Sequence, residues 1–441
     1  MQQPRRKRGR CPDRPFVEEK GAALTVHLPS CHQLPLSRHC GPERSLQESG
    51  DWWPFLPTNV IECRPDAVEA LRKLHGNDTV VPQDITKMDL GDYASSEGIV
   101  ATAPCVSFSM NGKGDGVDCP DGRLFIRQLY MIKELAGRPR RPLRWALIEN
   151  VESITYDRRW GNLWKQMQEW WVENMLGWTR LRLQLMNARE CELPQNRPHA
   201  MIYSHCKVYD EVVGGMPEYP VRRPEPHLED FLAAVADLKE IKGLKDHTNL
   251  QQQNLSRFNQ RFKEMIVKHG YSNDHDVYAI VDASRKGSVG SYKSSIAMDY
   301  CPTLTTHNST LFLFHSGPDR TKVLEGGRAL HIEERAKFSG VVWDSVKNFP
   351  EPSINMGLGN MMPVDLAAFV LAPIMQKWAL FEQRVMNLGL RNLDKLPFET
   401  DTDICTDNGI VDADIDADNG IVGEDNGIVE QQLWEWCLSM M

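Results

Sequence analysis

Short apolar runs alternate with amphipathic helical patterns from residue 58 onward, and this alternation constrains the fold more than any other feature of the chain. Strands are predicted near residues 58–63, 80–81, 98–102, 145–148, 181–185 and 200–203, with helices at 64–75, 122–136 and 160–177 between several of them. Strands separated by helices are typical of a doubly wound, mostly parallel sheet. The sequence therefore predicts an α/β protein.

The alternation stops after residue 206. Proline-rich residues 217–226 precede two predicted helices, 227–242 and 249–269, and a strand at 278–282. We interpret this region as a smaller, inserted domain. Further helices are predicted at 332–339 and 364–386, the second with enough apolar residues to belong in a core.

Both ends of the chain differ in composition from the middle. Residues 1–50 are rich in Pro, Arg, Ser and Cys without periodicity, which predicts a poorly structured segment. Its basic run at residues 5–10 is typical of a nuclear-import signal, a phosphate-binding arm or a solvated tail. Cys31, His32, His39 and Cys40 match no common zinc spacing, so no metal is predicted. Residues 399–441 repeat Asp-Asn-Gly-Ile-Val three times and predict disordered acidic low complexity.

The net charge hides this asymmetry. Residues 399–441 carry twelve Asp or Glu and no Lys or Arg, so the formal charge of −9 leaves residues 1–398 at +3. A mildly basic body is compatible with a nucleic-acid partner. No apolar run approaches the ~20 residues that span a bilayer, so no membrane partner is expected. Eleven cysteines without CxxC pairs, and no apolar stretch behind the basic N-terminus, predict reduced thiols in an intracellular compartment.

Three chemically active residues follow successive predicted strands. They are Cys105, Glu149 and Arg197. Each alone is more often structural: a buried thiol, a capping carboxylate or a surface charge. Because the carboxyl ends of parallel strands meet at one edge of a sheet, we expect the three side chains to share a pocket.

The segments around these residues resemble motifs of the C5-cytosine methyltransferase family, in the same order. Pro104-Cys105-x-x-x-Ser109 is similar to its nucleophile loop, Glu149-Asn150-Val151 to its Glu-Asn-Val motif, and Gln195-Asn196-Arg197 to its Gln-x-Arg motif. The resemblance extends over roughly residues 58–375 and includes Asp121-Gly-Arg-Leu-Phe125, Leu185-Met-Asn187-Ala188, the segment from Arg328 through Arg335 to Gly340, and the segment from Gly359 to Pro363.

The resemblance implies roles for individual residues. Cys105 would be the covalent nucleophile, Glu149 would hold or protonate N3 of cytosine, and Arg197 would orient the base. The remaining substrate-binding positions would be Pro104, Asn150, Gln195 and His199. The implied methyl donor is S-adenosylmethionine, with Glu62, Asp84, Ile85 and Asn360 as its binding residues.

The implied fold is a doubly wound Rossmann-like methyltransferase sheet with a smaller target-recognition domain. The catalytic domain would comprise residues 51–206 and 326–398, with target recognition at 207–325. The implied partner is DNA with the target base flipped out of the duplex, in the nucleus. The candidate backbone contacts are Arg222, Arg223, Arg257, Arg261, Lys263 and Lys286.

The chain departs from the family pattern at three places. No Phe-x-Gly-x-Gly loop precedes the strand at 58–63, and residues 40–50 hold only an eroded equivalent. Val106 stands where the family usually has Gln, and His199 where a second Arg is expected. Alternative hypotheses are therefore an inactive relative that binds DNA or a partner protein as a scaffold, RNA cytosine methylation on the same scaffold, and an unrelated Rossmann-like enzyme with chance matches.

Overall fold

The computed structural model describes residues 60–90, 97–109, 114–138, 143–156, 162–209, 226–239, 241–271, 276–283, 296–305, 311–319 and 321–387. The chain divides into two compact units, Met1–Leu396 and Pro397–Met441, and all described residues belong to the first. The basic run, the Cys/His pairs, the repeats after residue 399 and three candidate backbone contacts (Arg222, Arg223 and Lys286) lie outside the described residues.

A parallel strand pair begins the described chain. Strand β1 (Val60–Glu62) is followed by helix α1 (Pro65–His75) and strand β2 (Val80–Pro82), with Ile61 opposite Val81. Proline in the first turn of α1 and Gly76 with φ of +88° after its last residue explain where the helix begins and ends. This β-α-β unit agrees with the predicted alternation.

A four-stranded sheet forms the largest core. Its strands are β3 (Gly98–Thr102), β4 (Trp145–Val151), β5 (Arg182–Asn187) and β7 (Pro198–His205); the two-residue strand β6 (Gln195–Asn196) precedes β7. The spatial order is β3-β4-β7-β5. Helices α2 (Pro120–Ala136) and α3 (Leu163–Asn174) contribute side chains to the same core.

The sheet is mixed, which corrects the expectation of mostly parallel strands. Strand β3 runs parallel to β4, but β7 runs antiparallel to both β4 and β5. Residues 188–197 join β5 to β7. A connection between parallel strands needs about a dozen residues or more, so this short connection places β7 antiparallel to β5. As a result the start of β7 lies beside the end of β4.

A second sheet is entirely antiparallel. It contains β8 (Val277–Asp282), β9 (Ala297–Met298), β11 (Leu311–Ser316) and β12 (Arg328–Ala329) in the order β12-β11-β8-β9. Strand β12 lies beyond residue 325, so this sheet crosses the predicted domain boundary. The two-residue strand β10 (Cys301–Pro302) lies between β9 and β11 in sequence. It pairs with β6, the short strand that precedes β7.

Helices cover the second sheet. Helix α4 (Asn249–His269) packs Leu255, Phe258 and Phe262 against the sheet. Its Thr248–Gln251 capping box and Gly270 define its ends as predicted. Later helices are α5 (Ile332–Phe338), α6 (Trp343–Val346), α7 (Glu351–Asn360) and α8 (Val364–Asn387).

The predicted helix at 227–242 is wrong. The described residues of this region form only 3₁₀ turns, at Leu228–Phe231 and Val235–Asp237. The Ala233 amide donates to Glu334 and the Val235 amide to the carbonyl of Thr321, so tertiary hydrogen bonds override a helical sequence pattern. Conversely, α7 was not predicted, because Gly357 and Gly359 are poor helix formers.

In the described part of the chain, no single helix is long and apolar enough to cross a membrane. The helical segments Glu351–Asn360 and Val364–Trp378 are long and apolar enough only when they are counted as one, and a bend of 43° separates them.

Candidate active site

The loop after β3 presents Cys105 in a tight turn. Its carbonyl accepts from the amides of Phe108 (3.0 Å) and Ser109 (2.8 Å). The Phe108 ring is fully buried edge-on against Phe125 of α2, with ring centroids 5.6 Å apart. Ser153, after β4, donates its hydroxyl to the Phe108 carbonyl. The turn is therefore held on both sides, and Pro104 and Cys105 remain half-buried at the edge of the sheet.

The start of α2 forms a second anchor for the loop. The Gly116 amide donates to the Ser107 carbonyl at 3.1 Å, and the Ser107 hydroxyl lies 2.9 Å from the Cys119 thiol, which caps α2. Gly122 allows this approach, since a Cβ there would lie 1.8 Å from the Gly116 carbonyl oxygen. The loop carrying Cys105 thus depends on the absence of a side chain at residue 122.

Glu149 and His199 form a buried pair across β4 and β7. His199 Nδ1 lies 2.6 Å from Glu149 Oε1, and the two side chains are 3% and 10% exposed. Glu149 is opposite Met201 in the register, so His199 is its diagonal neighbour on the same face of the sheet. The sequence placed His199 among the substrate-binding residues; the structure makes it the direct partner of Glu149.

Arg197 is held by the end of α7. Its two terminal nitrogens donate to the carbonyls of Leu358 and Gly359, both at 2.9 Å, and its amide donates to Asn187 Oδ1 at 3.0 Å. The guanidinium is buried. Asn187 belongs to the motif Leu185-Met-Asn187-Ala188. Its hydrogen bond shows that it positions the segment that carries Arg197.

The charges of Cys105, Glu149 and Arg197 act on one another. Burial raises the pKa of the Cys105 thiol, while Arg197 lowers that pKa and Glu149 raises it. Burial also lowers the pKa of Arg197, against the opposing effects of Cys105 and Glu149. Glu149 pairs with Thr102, three residues before Cys105, and contacts His199, two residues after Arg197, so the three residues expected to converge lie at one edge of the sheet.

Asn150 and Gln195 are fully buried beside the site. The Asn150 amide donates to the Ala103 carbonyl at 3.4 Å, and its oxygen accepts from the Val151 amide. Gln195 Nε2 donates to the Ser339 hydroxyl at 3.3 Å. Both residues hold neighbouring segments in place, and their contact with substrate stays a prediction.

The predicted cofactor residues lie at strand and helix ends. Glu62 ends β1 and accepts from the amides of Cys63 (2.9 Å) and Arg64 (2.8 Å). Asp84, in the turn after β2, accepts from the amide and hydroxyl of Thr86, while the Ile85 side chain belongs to the core. Asn360 is exposed at the end of α7, next to the carbonyls that hold Arg197.

A cavity of about 630 Å³ opens beside the ends of β1 and β2. None of the four predicted cofactor residues lines it; its walls are Cys63, Pro65, Val68, Glu69, Arg72, Lys73, Asn77 and Pro82. Within the described ranges, no group of three or more His, Cys, Asp or Glu side chains is arranged to hold a metal ion.

Fold and site together define an α/β protein with a thiol, a carboxylate and two basic side chains at one edge of its sheet. The chain belongs to the C-5 cytosine-specific DNA methylase family, which it matches over residues 45–376. The resemblance found in the motifs and the predicted α/β fold class are thereby confirmed.

Relatives match over shorter stretches. Type II methyltransferase M.NgoBV of Neisseria gonorrhoeae is 32% identical over 142 residues, 31% of each chain. M1.ScrFI of Lactococcus lactis subsp. cremoris is 34% identical over 122 residues, 27% of this chain and 28% of that one. The matched stretches thus span about a third or less of these relatives. The solved Dnmt2 methyltransferase of S. pombe aligns with 72% of this chain and 89% of its own, at 15% identity and a TM-score of 0.41.

Proposed function

We propose that the protein is a DNA cytosine-5 methyltransferase that uses S-adenosylmethionine and forms a covalent adduct through Cys105. The observation that carries this proposal is the grouping of Cys105, Glu149 and Arg197, residues far apart in sequence that the pairing of β3, β4 and β7 brings to one edge of the sheet. Family membership over residues 45–376 supports the same chemistry.

The site residues suit the activation of a weak nucleophile. Carbon 5 of cytosine becomes reactive when a thiolate adds to C6 and the ring electrons move towards N3. Cys105 supplies the thiolate, and Glu149 carries the proton that N3 takes up. Arg197 places a positive charge near the thiolate, which offsets part of the cost of burying it. A duplex shields C6, so the target base must leave the stack to reach this site.

The strand-end carboxylates fit S-adenosylmethionine. Carboxylates at Glu62 and Asp84 suit a ribose diol and an adenine amine; Glu62 ends β1, and Asp84 lies in the turn after its parallel neighbour β2. Ile85 and Asn360 complete the proposed contacts. When bound, the cofactor supplies an electrophilic sulfonium methyl group. The chain's own contribution is to orient the ribose and adenine and to hold Arg197 beside Asn360 through the carbonyls of α7.

Covalent trapping tests the proposal. A duplex oligonucleotide containing 5-fluorocytosine, with S-adenosylmethionine, should give a denaturation-resistant complex with the natural chain and none with Cys105→Ser. Cys119→Ser is the matched control, since Ser keeps the helix cap and the contact with Ser107. Equal trapping by Cys105→Ser would remove Cys105 from its role.

RNA is the alternative substrate, because the same thiol and carboxylate suit an RNA cytosine. Methyl transfer to duplex DNA and to tRNA, measured side by side with labelled cofactor, decides between them. We expect transfer to DNA. Transfer to tRNA alone would replace DNA methylation by RNA methylation.

A catalytically inactive scaffold is the second candidate function. The observation that favours it is the absence of the Phe-x-Gly-x-Gly loop from the sequence before β1. Calorimetry with S-adenosylmethionine separates the two: a methyltransferase binds the cofactor, whereas a chain that binds DNA but no cofactor is a scaffold.

Nuclear localisation belongs to the same proposal, on the basis of the basic run at residues 5–10. A fluorescent fusion should accumulate in the nucleus, and alanine substitutions in this run should release it. An unchanged distribution of the substituted fusion would argue against an import signal.

A further inference from the structure

The Glu149–His199 pair is closely spaced, buried and incompletely satisfied. The Nδ1–Oε1 distance is 2.6 Å, and His199 Nε2 is buried without a hydrogen-bond partner. Val151 of β4 and Met186 of β5 are the register partners of His199, so an apolar side chain flanks the imidazole on each side. The two side chains therefore form one directly hydrogen-bonded unit inside the protein.

The charged groups around the pair come from two other segments. Arg197 approaches from the residues before β7, and the Cys105 thiol from the loop after β3. Both terminal nitrogens of Arg197 already donate hydrogen bonds to carbonyls of α7. His199 is therefore the residue that contacts the Glu149 carboxylate directly.

An imidazole at this position behaves differently from a guanidinium. An arginine keeps its charge throughout the physiological range, whereas a histidine gains or loses a proton near neutral pH. A carboxylate beside a permanent cation has a fixed electrostatic partner. Beside His199, the partner's charge depends on pH.

We propose that His199 is a positioning residue for Glu149, and that the two side chains together hold the proton that the target cytosine takes up at N3. The inference rests on the proposed methyltransferase function and deepens it. The protonated Glu149 carboxyl gives its proton to N3 as the Cys105 thiolate bonds to C6. The resulting carboxylate accepts a hydrogen bond from His199 Nδ1–H while C5 bonds to the sulfonium methyl group, whose bond to sulfur breaks. Water then takes the C5 proton as the C5=C6 double bond re-forms and the C6–S bond breaks, which restores the Cys105 thiolate. N3 returns its proton to the Glu149 carboxylate.

A pH profile of single-turnover methyl transfer tests this role. The variants are His199→Gln, which cannot ionise, and His199→Arg, which is always charged. We expect the natural chain to show one more ionisation than either variant. His199→Gln should also reduce the rate at pH 8 by at least about tenfold, with DNA affinity changed less than about twofold, since general acid–base groups contribute ~10²–10⁴ in rate. Identical profiles for all three proteins would overturn the proposal.

A second measurement does not depend on activity. Nitrogen-15 NMR of the histidine rings, with the His199 signal assigned by its loss in His199→Gln, reports the hydrogen bond at Nδ1. Glu149→Gln should move the Nδ1 resonance of His199, since an uncharged amide replaces the carboxylate that lies 2.6 Å away. An unchanged resonance would refute the pairing even if methyl transfer is normal. Absent methyl transfer with a moved resonance would instead reject the proposed function and keep the pair.

Discussion

Arg197 and His199 are two residues apart, yet they serve different groups. Arg197 ties the end of α7 to the site through the carbonyls of Leu358 and Gly359, while His199 contacts Glu149. At this scale the reactivity of Cys105 is set by burial, which disfavours the thiolate, and by Arg197, which favours it. The chemistry of the site thus depends on a balance between a desolvated thiol and one nearby cation.

The charge of Arg197 should be measurable at Cys105. Because burial raises the pKa of this thiol, its alkylation by iodoacetamide should accelerate as pH rises beyond the range of an ordinary cysteine. Arg197→Gln should move the midpoint of this rise upward, because the cation that lowers the pKa of the Cys105 thiol is removed. Arg197→Lys, which keeps the charge, is the control; a midpoint unchanged in Arg197→Gln would contradict the coupling.

Glu149 should affect catalysis far more than binding. Glu149→Gln keeps the shape of the side chain but cannot give up a proton, so we expect single-turnover methyl transfer to fall by about 10²-fold or more. DNA affinity, measured by fluorescence anisotropy, should change little. Equal losses in rate and affinity would indicate that Glu149 is structural.

Helix α2 and the nucleophile loop form one packed element. Alanine at Gly122 would place a Cβ 1.8 Å from the Gly116 oxygen, so Gly122→Ala should destabilise the protein and displace the loop that bears Cys105. Urea denaturation and covalent trapping measure the two effects. At Gly357 of α7 a Cβ meets nothing within 4 Å, so Gly357→Ala should instead stabilise by up to ~1 kcal/mol. A neutral Gly122→Ala would refute the close-packing argument.

Helix α4 presents a basic face away from its sheet. Arg257, Arg261 and Lys263 are exposed, while Phe258 and Phe262 are buried beneath them. If this face contacts the DNA backbone, Arg257→Glu with Arg261→Glu should weaken duplex binding and reduce the salt dependence by a slope of about 2. Lys165→Glu, at an exposed position of α3, serves as the control for a charge reversal elsewhere on the surface. An unchanged salt slope in the double variant would place the duplex elsewhere.

At the scale of the whole molecule, a buried ion pair joins distant segments. Arg328 of β12 donates to both oxygens of Glu334 in α5 at 2.8 and 2.7 Å, with both side chains fully buried. Glu334 also accepts from the Ala233 amide, in the region predicted as a helix. This pair connects the second sheet, α5 and the 3₁₀ turns.

Breaking this pair should be costly. Glu334→Gln leaves a buried guanidinium uncompensated, and we expect a loss of about 3–5 kcal/mol in the free energy of unfolding. Glu69, whose ion pair with Lys73 is exposed on both sides, is the matched control: Glu69→Gln should cost less than ~1 kcal/mol. Urea denaturation compares the two variants, and equal costs would contradict the role given to burial.

Local patterns were sufficient to predict the alternation of strands and helices from β1 to β7, the extent of α4, and the convergence of Cys105, Glu149 and Arg197. These features depend on residue spacing, on caps and on the apolar runs that precede each reactive residue. Convergence was expected from parallel strand ends, but Arg197 and His199 reach the site because β7 runs antiparallel and begins where β4 ends.

Only the tertiary structure decided which groups those residues contact. The pairing of His199 with Glu149, the use of Arg197 by α7, the burial of Asn150 and Gln195, and the loss of the predicted helix at 227–242 all depend on hydrogen bonds between segments far apart in sequence. Such bonds leave no periodic signal along the chain, because their energy depends on which strands become neighbours and on what water they exclude.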